Sequence, residues 1–111
     1  MEIKVEDMGA GVAVLRLDGK LNMVSAALFR DAVNSSVSEG LTRLSIDLKG
    51  VDFIDSSGLG ALISGLKATR MAGGDLRIAA PTTQVQLVLQ LTNMDRVLMA
   101  YEDAETAFAH G

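Results

Sequence analysis

Paired hydroxyls stand beside flexible backbone in the segment FIDSSGLGAL, residues 53–62. Asp55 ends an apolar run, Ser56 and Ser57 follow it, and apolar residues at helical spacing come next. A hydroxyl at the start of a helix can cap that helix, help to bind an anion, act as a nucleophile or accept a phosphate. The chemistry of the segment therefore depends on which partner groups the rest of the sequence supplies.

Catalytic partners for these serines are scarce. The chain has one histidine, His110 beside the C-terminus, and no cysteine, so a His/Cys metal site lacks its ligands. A nucleophilic serine needs a base such as an anchored histidine, and the G-x-S-x-G motif is absent. The GLG sequence also lacks the lysine of a P-loop and the full G-x-G-x-x-G pattern. We therefore expect neither an enzyme nor a bound nucleotide, metal or other cofactor.

Two interpretations of the serines remain open. In the first, Ser56 or Asp55 only caps the helix by accepting a backbone hydrogen bond. In the second, Ser56 carries a phosphate, which would lie at the positive end of the helix dipole and add about −1.5 to −2 charges. Asp52 and Asp55 would make this corner of the molecule strongly negative. Such a modification changes the surface while the fold remains, as a docking switch requires.

The overall composition predicts one domain, residues 1–111, with an aliphatic core. Hydrophobic residues make up 49% of the chain and aromatic residues only 4%. The net charge of −4 argues against binding to nucleic acid and to anionic membranes. The first residues, MEIKVED, do not resemble a signal peptide, and no apolar run approaches the ~20 residues of a membrane span. We expect no nucleic-acid partner, no membrane and a cytoplasmic location.

The spacing of apolar residues places the serines in an α/β fold. The predicted order is β-β-α-β-α-β-α-(β)-α, with a mixed sheet of four to five strands and about four helices. The predicted strands cover residues 2–7, 12–17, 43–48 with 51–54, the DLRIAA segment, and Val97 to Ala100. The predicted helices start at a cap from Ser25 or Asn22, at Ser56, at Pro81 and at Asp103, the last running from Ala104 to His110.

Each long helix has a predicted apolar face. In the helix from Ser56 to about Ala72, we expect the large residues to face the sheet. The small residues on the other side could let another surface approach closely, but we favour contact with a neighbouring helix or simple exposure to solvent. The large residues are Leu59, Leu62, Ile63 and Leu66, and the small ones are Ala61, Gly65, Ala68 and Ala72. The expected apolar residues are Leu28, Ala32, Val33 and Val37 in the helix before it, and Val85, Leu87, Val88 and Leu91 in the helix after it.

The segment VDFIDSSGLGALISGLKATRMAGGDLRIAAP resembles the signature region of STAS domains of the anti-sigma factor antagonist type. LRLDGKLNMVSAALFRDAV before it and VLQLTNMDRVLMAYEDAETAFA after it resemble the flanking parts of the same domain, so the likeness covers nearly the whole chain. The D-S-S-G-L-G core is its most specific part. The resemblance implies a single STAS-like domain.

The resemblance also implies a bacterial partner-switching protein that works by binding. In this family the unphosphorylated antagonist binds an anti-sigma factor, a serine kinase with a histidine-kinase-like ATPase fold, and a serine phosphatase reverses the phosphorylation. The phosphorylated serine matches Ser56, and the ATP belongs to the kinase, so no cofactor is expected in this chain. Many antagonists have aspartate where this chain has Asn22. The implied partner-binding residues are Asn22, Met23, Asp55, Ser56, Ser57, Gly58 and Leu59.

Other STAS domains imply two alternatives. The chain could be a constitutive scaffold or a subunit associated with transport machinery, without phosphate on Ser56. It could also be a partner switch that controls secretion or another regulated pathway, and not a sigma factor of a stress response.

Overall fold

Residues 1–109, which the computed structural model describes, form a five-stranded sheet and three α-helices. The strands are β1 (Glu2–Gly9), β2 (Val12–Leu21), β3 (Arg43–Ile54), β4 (Asp75–Ala79) and β5 (Ala100–Tyr101). The helices are α1 (Ala26–Ser38), α2 (Ser56–Met71) and α3 (Thr83–Leu91), and short 3-10 turns lie at Met94–Arg96 and Ala104–Thr106. The predicted α/β class with a mixed sheet is confirmed.

The strands lie in the sheet in the same order as in the chain. β1 and β2 form an antiparallel hairpin, and each later strand is parallel to the one before it. The register pairs Leu21 at the end of β2 with Ile54 at the end of β3. Because both strands run in the same direction, the segments that follow Leu21 and Ile54 leave the sheet side by side.

All three helices contribute to one apolar core on a single face of the sheet. Alternate residues of β2, including Leu15 and Leu17, join this core, as the period of two along a strand requires. Phe29 of α1 and Leu62 of α2 are completely buried against them. Burying a side chain of this size contributes about 1.5–3 kcal/mol, so these contacts fix how the helices sit on the sheet.

The small-residue side of α2 packs on α1, which is one of the alternatives that the sequence left open. Ala61 and Gly65 are buried. A Cβ atom added at Gly65 would lie 3.0 Å from Leu76 Cδ1 of β4 and 3.4 Å from Val33 Cγ2 of α1, so α2 packs closely on both at this position. Ala72, at the end of the stripe, is exposed, so the contact involves only the first part of the stripe.

Two predicted apolar faces are rotated in the structure. α1 buries Ala26, Phe29 and Val33, while Leu28 is 49% exposed. The large Phe29 ring fills the space against α2, and Leu28 lies one residue, about 100°, around the helix. α3 buries Val85, as predicted, and Leu89, whereas the predicted Leu87 and Leu91 remain exposed. These exposed leucines leave apolar surface that the core does not use.

The C-terminal part differs from the prediction in three ways. α3 begins at Thr83 rather than at Pro81, because Thr82 is its N-cap residue. The last strand is Ala100–Tyr101 instead of residues 97–100, because the Val97 and Leu98 N–H groups donate hydrogen bonds to the Met94 carbonyl in the preceding turn, at 3.0 and 2.8 Å. The predicted helix from Ala104 is a 3-10 turn at Ala104–Thr106, and His110 lies outside the described residues. So short a segment has too few backbone hydrogen bonds to form a helix by itself.

The opposite face of the sheet holds the C-terminal turn through an ion-pair cluster. Arg16 of β2 contacts Glu105 Oε1 through Nη2 at 2.7 Å and Asp47 Oδ2 through Nη1 at 2.9 Å. Its hydrogen bond to Glu105 raises the pKa of Arg16 and lowers the pKa of Glu105. The turn also buries Ala104 against Val14 and Ala79. The ion pair therefore orients a segment that has little regular structure of its own.

We predict that Glu105→Gln lowers the free energy of unfolding at neutral pH and that this difference disappears in acid. Because the folded-state pKa of Glu105 lies below its ordinary 4.5, its contribution is complete above that value and is lost as the pH falls through the folded pKa. Urea denaturation of both proteins at about pH 7 and about pH 3 measures the effect. Glu102→Gln is the matched control, since Glu102 forms no ion pair within residues 1–109. An equal difference at both pH values would contradict the role of Glu105.

Candidate functional site

The site predicted from the sequence forms where β2 and β3 end side by side. The loop after β2 carries Asn22 and Met23, and the junction after β3 carries Asp55 and Ser56. The end of β3 is held on its other side by α3, since Gln84 Oε1 accepts a hydrogen bond from the Ile54 N–H at 3.0 Å. The loop and the junction therefore meet on backbone that is fixed by neighbouring elements.

Asp55 connects the two segments through its carboxylate. Its Oδ1 atom accepts a hydrogen bond from the Gly58 N–H at 2.8 Å, which makes Asp55 the N-cap of α2. Its Oδ2 atom accepts a hydrogen bond from the Met23 N–H at 3.3 Å. The sequence left open whether Asp55 or Ser56 caps the helix, and the structure shows that Asp55 does.

Gly58 allows α2 to start close to the end of β2. A Cβ atom at this position would lie 2.0 Å from the Leu21 carbonyl oxygen and 3.0 Å from Ile54 Cγ1. No side chain fits at that distance without movement of the backbone. Gly60 differs, because a Cβ atom there would have no atom within 4 Å. Packing therefore explains Gly58 and does not explain Gly60, which lies on the exposed side of α2.

Asn22 organises the loop that enters α1. Its Oδ1 atom accepts hydrogen bonds from the Val24 and Ser25 N–H groups at 3.0 and 3.2 Å. The Ser25 hydroxyl donates to the Lys20 carbonyl at 2.7 Å and accepts from the Asn22 N–H at 3.0 Å, so it does not cap α1. The side chains of Met23 and Val24 are left 75% and 86% exposed. The loop thus presents two apolar side chains to solvent from a fixed backbone.

Ser56 is exposed in the first turn of α2, and its hydroxyl forms no hydrogen bond with any other residue of the described range 1–109. Ser57 is half-buried. The nearest acidic side chains along the chain are Asp55, which is the helix cap, and Asp52, which lies 3.8 Å from the Lys20 ammonium. The fold therefore does not depend on the Ser56 hydroxyl, which remains accessible to another molecule.

A shallow groove runs from Ser56 along α2. Its volume is about 420 Å³, and one wall is formed by Leu59, Gly60 and Ile63. Thr92 and Met94, just after α3, form the other wall. Sequence reasoning placed Leu59 at the site but expected Ile63 to face the sheet, and it missed Val24 and Met94. Half-buried Ile63 was indistinguishable from a core residue by spacing alone, since Leu62 and Leu66 on the same stripe are buried.

The site combines an exposed serine hydroxyl with a shallow, largely apolar groove. Within residues 1–109, no group of three or more His, Cys, Asp or Glu side chains is arranged to hold a metal ion. His110, the one candidate base of a nucleophilic serine, lies outside the described residues. Over the same range, none of the helices combines the length and the apolar character needed to cross a membrane.

Comparisons with known proteins assign a family to this arrangement. A profile of the STAS domain family matches residues 6–107. A Thermotoga maritima protein, provisionally named an anti-sigma factor antagonist, is 32% identical over 97 residues, which cover 86% of each chain. A crystal structure of a T. maritima protein of the same provisional description has a TM-score of 0.86 at 29% identity, over 96% of this chain and 92% of that one.

Three further solved structures share the fold. An anti-sigma factor antagonist from Mycobacterium paratuberculosis is 28% identical, with a TM-score of 0.83 over 97% of this chain and 93% of its own. The antagonist SpoIIAA in its unphosphorylated form has a TM-score of 0.80 over 95% of this chain and 92% of its own, and at 20% identity it shows the fold alone. SpoIIAA has also been solved in its phosphorylated form, with a TM-score of 0.73.

The two glycines of the site give opposite predictions for stability. Gly58→Ala should destabilise the protein by about 3 kcal/mol or more, because its Cβ atom meets backbone that cannot move without opening the β2–α2 contact. Gly60→Ala should be neutral or stabilising by up to about 1 kcal/mol, because alanine is the better helix former and has space there. Urea denaturation of the two variants tests the pair. Similar losses of stability in both would contradict the assigned packing.

Proposed function

Because the chain belongs to the STAS domain family, whose members similar to it are named anti-sigma factor antagonists, we propose that it is a phosphorylation-controlled antagonist. The unphosphorylated protein binds an anti-sigma factor that is a serine kinase, and thereby releases the kinase's target. Phosphorylation of Ser56 abolishes this binding, and a serine phosphatase restores it. The observation that carries the proposal is the exposed Ser56 hydroxyl, unused by the fold, at one end of an apolar groove.

The surroundings of Ser56 suit a switch that acts on the surface. A partner that covers the groove would bury Leu59 and Ile63 and exclude water from them. A phosphate with about −1.5 to −2 charges at Ser56 would then lose its water next to apolar side chains and would also lie near the negative Asp55 carboxylate. Both effects oppose docking of the partner. The start of α2 tolerates the phosphate, because the free N–H groups of its first turn favour negative charge. The fold is kept while the complex is lost.

Ser56 is a better phosphate acceptor than Ser57 for a steric reason. Phosphoryl transfer needs the hydroxyl oxygen to approach the nucleotide of the kinase in line, so the hydroxyl must be free of its own protein. Ser56 is exposed, whereas Ser57 is half-buried. Asn22, Met23 and Val24 flank this corner, and their loop would contact the same kinase. The oxygen of the neutral Asn22 amide accepts hydrogen bonds that fix the backbone of that loop, so Asn22 positions the loop without adding a charge to the surface.

The partners follow from this mechanism. The kinase brings ATP, so the antagonist needs no cofactor, and a kinase that draws on cellular ATP implies a cytoplasmic location. No nucleic acid and no membrane take part, which suits a net charge of −4. Residues 1–111 act as a single unit in this proposal. The same surface would serve a partner switch with an output other than a sigma factor.

The direct test is the effect of Ser56 variants on kinase binding. Ser56→Ala should bind the anti-sigma factor kinase and stay bound when ATP is present, since it cannot be phosphorylated. Ser56→Asp should bind roughly tenfold or more weakly, because it places a charge in the groove. Ser57→Ala is the control and should behave like the unmodified chain. Calorimetry measures the affinity of each variant for the kinase. Equal affinities of the alanine and aspartate variants would contradict the switch and would favour a constitutive scaffold.

A second pair of variants tests whether the loop before α1 belongs to the partner surface. Val24→Ser removes an apolar side chain that is 86% exposed and that lies next to the Met23–Asp55 contact. Met71→Ser does the same at the far end of α2, where Met71 is 90% exposed. Neither should change stability measurably. We expect only Val24→Ser to weaken the kinase complex, by about tenfold. Equal affinities of the two variants would exclude the loop from the interface.

A further inference from the structure

We propose that a second cavity, between α3 and β5, binds a small organic cation with an apolar body. Its volume is about 490 Å³, which falls within the ~300–1,000 Å³ typical of small-molecule sites. It lies at the carboxyl ends of β4 and β5, the edge at which α/β sheets commonly bind ligands. It has no lining residue in common with the groove at Ser56. The proposal therefore stands independently of the antagonist function.

The apolar wall of this cavity is held in place by the fold. Leu89 and Leu98 line it and belong to the main core, with exposures of 2% and 0%. Pro81 and Tyr101 complete the apolar lining. Because these residues are already ordered, little of the binding free energy would be lost in arranging them. An aliphatic or aromatic group of a ligand would find a preformed surface.

Two hydrogen bonds fix the backbone at the edge of the cavity, where one residue lies in the left-handed region. Ala80 has φ of +50°, in the left-handed region that an alanine rarely adopts. Its N–H donates a hydrogen bond to the Tyr101 carbonyl at 2.8 Å, which holds β5 against this turn. The Gln86 side chain secures the same turn by donating from Nε2 to the Pro81 carbonyl at 2.8 Å. The edge of the cavity therefore has a fixed backbone.

The charges of the cavity select a cation. Asp95 and Glu102 are among its lining residues, and the lining contains no lysine, arginine or histidine. Neither carboxylate forms an ion pair or a side-chain hydrogen bond with another residue of the range 1–109. The Gln86 amide oxygen is a further acceptor, because its nitrogen is already engaged. An ammonium or guanidinium group attached to an apolar body fits this set of acceptors, and a carboxylate or phosphate is repelled by it.

The test uses three probes with the same phenylbutyl body: 4-phenylbutylammonium, 4-phenylbutanol and 5-phenylpentanoate. Backbone amide NMR shifts of Leu89, Leu98 and Tyr101 report binding at the cavity. The ammonium probe should saturate these shifts and bind roughly tenfold more tightly than the alcohol, and the carboxylate should not bind. Equal affinities for the three probes, or no saturable shift with the ammonium probe up to ~10 mM, would overturn the proposal.

Matched variants separate a specific site from general attraction to an acidic protein. Asp95→Asn with Glu102→Gln removes both carboxylates of the cavity, and should weaken the ammonium probe about tenfold while leaving the alcohol unchanged. Asp31→Asn with Glu39→Gln removes the same charge from exposed positions on and beside α1 and should have no effect. All four residues are exposed, so both double variants should fold, which thermal melting verifies. An equal loss in both double variants would contradict the site.

Discussion

The carboxylate of Asp55 is the contact on which the arrangement of this corner depends. One oxygen caps α2 through Gly58, and the other holds the loop before α1 through Met23. The cap works only because α2 can start against the end of β2, where a glycine at position 58 leaves space beside the Leu21 carbonyl. Together these contacts decide that the next residue, Ser56, points away from the packed backbone and is exposed. The D-S-S-G sequence is thus a single structural unit in which the Ser56 hydroxyl is exposed and available to a partner.

The residues that hold the fold are separate from the residues that would carry the signal. Asp55, Gly58 and the Asn22 oxygen satisfy backbone groups or allow close packing. Three exposed neighbours have side chains or positions that the fold does not use in this way, namely Val24, Ser56 and Gly60. A modification at Ser56 can therefore change the surface by nearly two charges without removing a contact that stabilises the native state. This separation is what a reversible switch needs, because a phosphate that unfolded its carrier could not be read by a partner.

The parts of the structure with regular apolar spacing were predictable from the sequence. The hairpin, the helix from Ser56 and the parallel strands follow from alternation, helical periodicity and glycine stops. The side of α1 that faces the core was not predictable from the sequence. Phe29 and Leu28 are adjacent, and only the fit against α2 decides which of them is buried. The C-terminal turn depends on Glu105 reaching Arg16, 89 residues away in the chain, and local sequence carries no signal for such a contact. The groove was missed for the same reason, since its walls come from α2 and from the segment after α3.

The central claim is that phosphate on Ser56 changes the surface and leaves the scaffold intact. The most direct measurement compares backbone amide NMR spectra and hydrogen exchange of the unphosphorylated protein and of the protein phosphorylated only at Ser56. We expect shifts confined to the start of α2 and the loop before α1, with unchanged exchange protection in β2, β3 and the rest of α2. Shifts spread through the sheet, or lost protection at Gly58 and Leu62, would show that the phosphate disrupts the fold and that Ser56 cannot act as a surface switch.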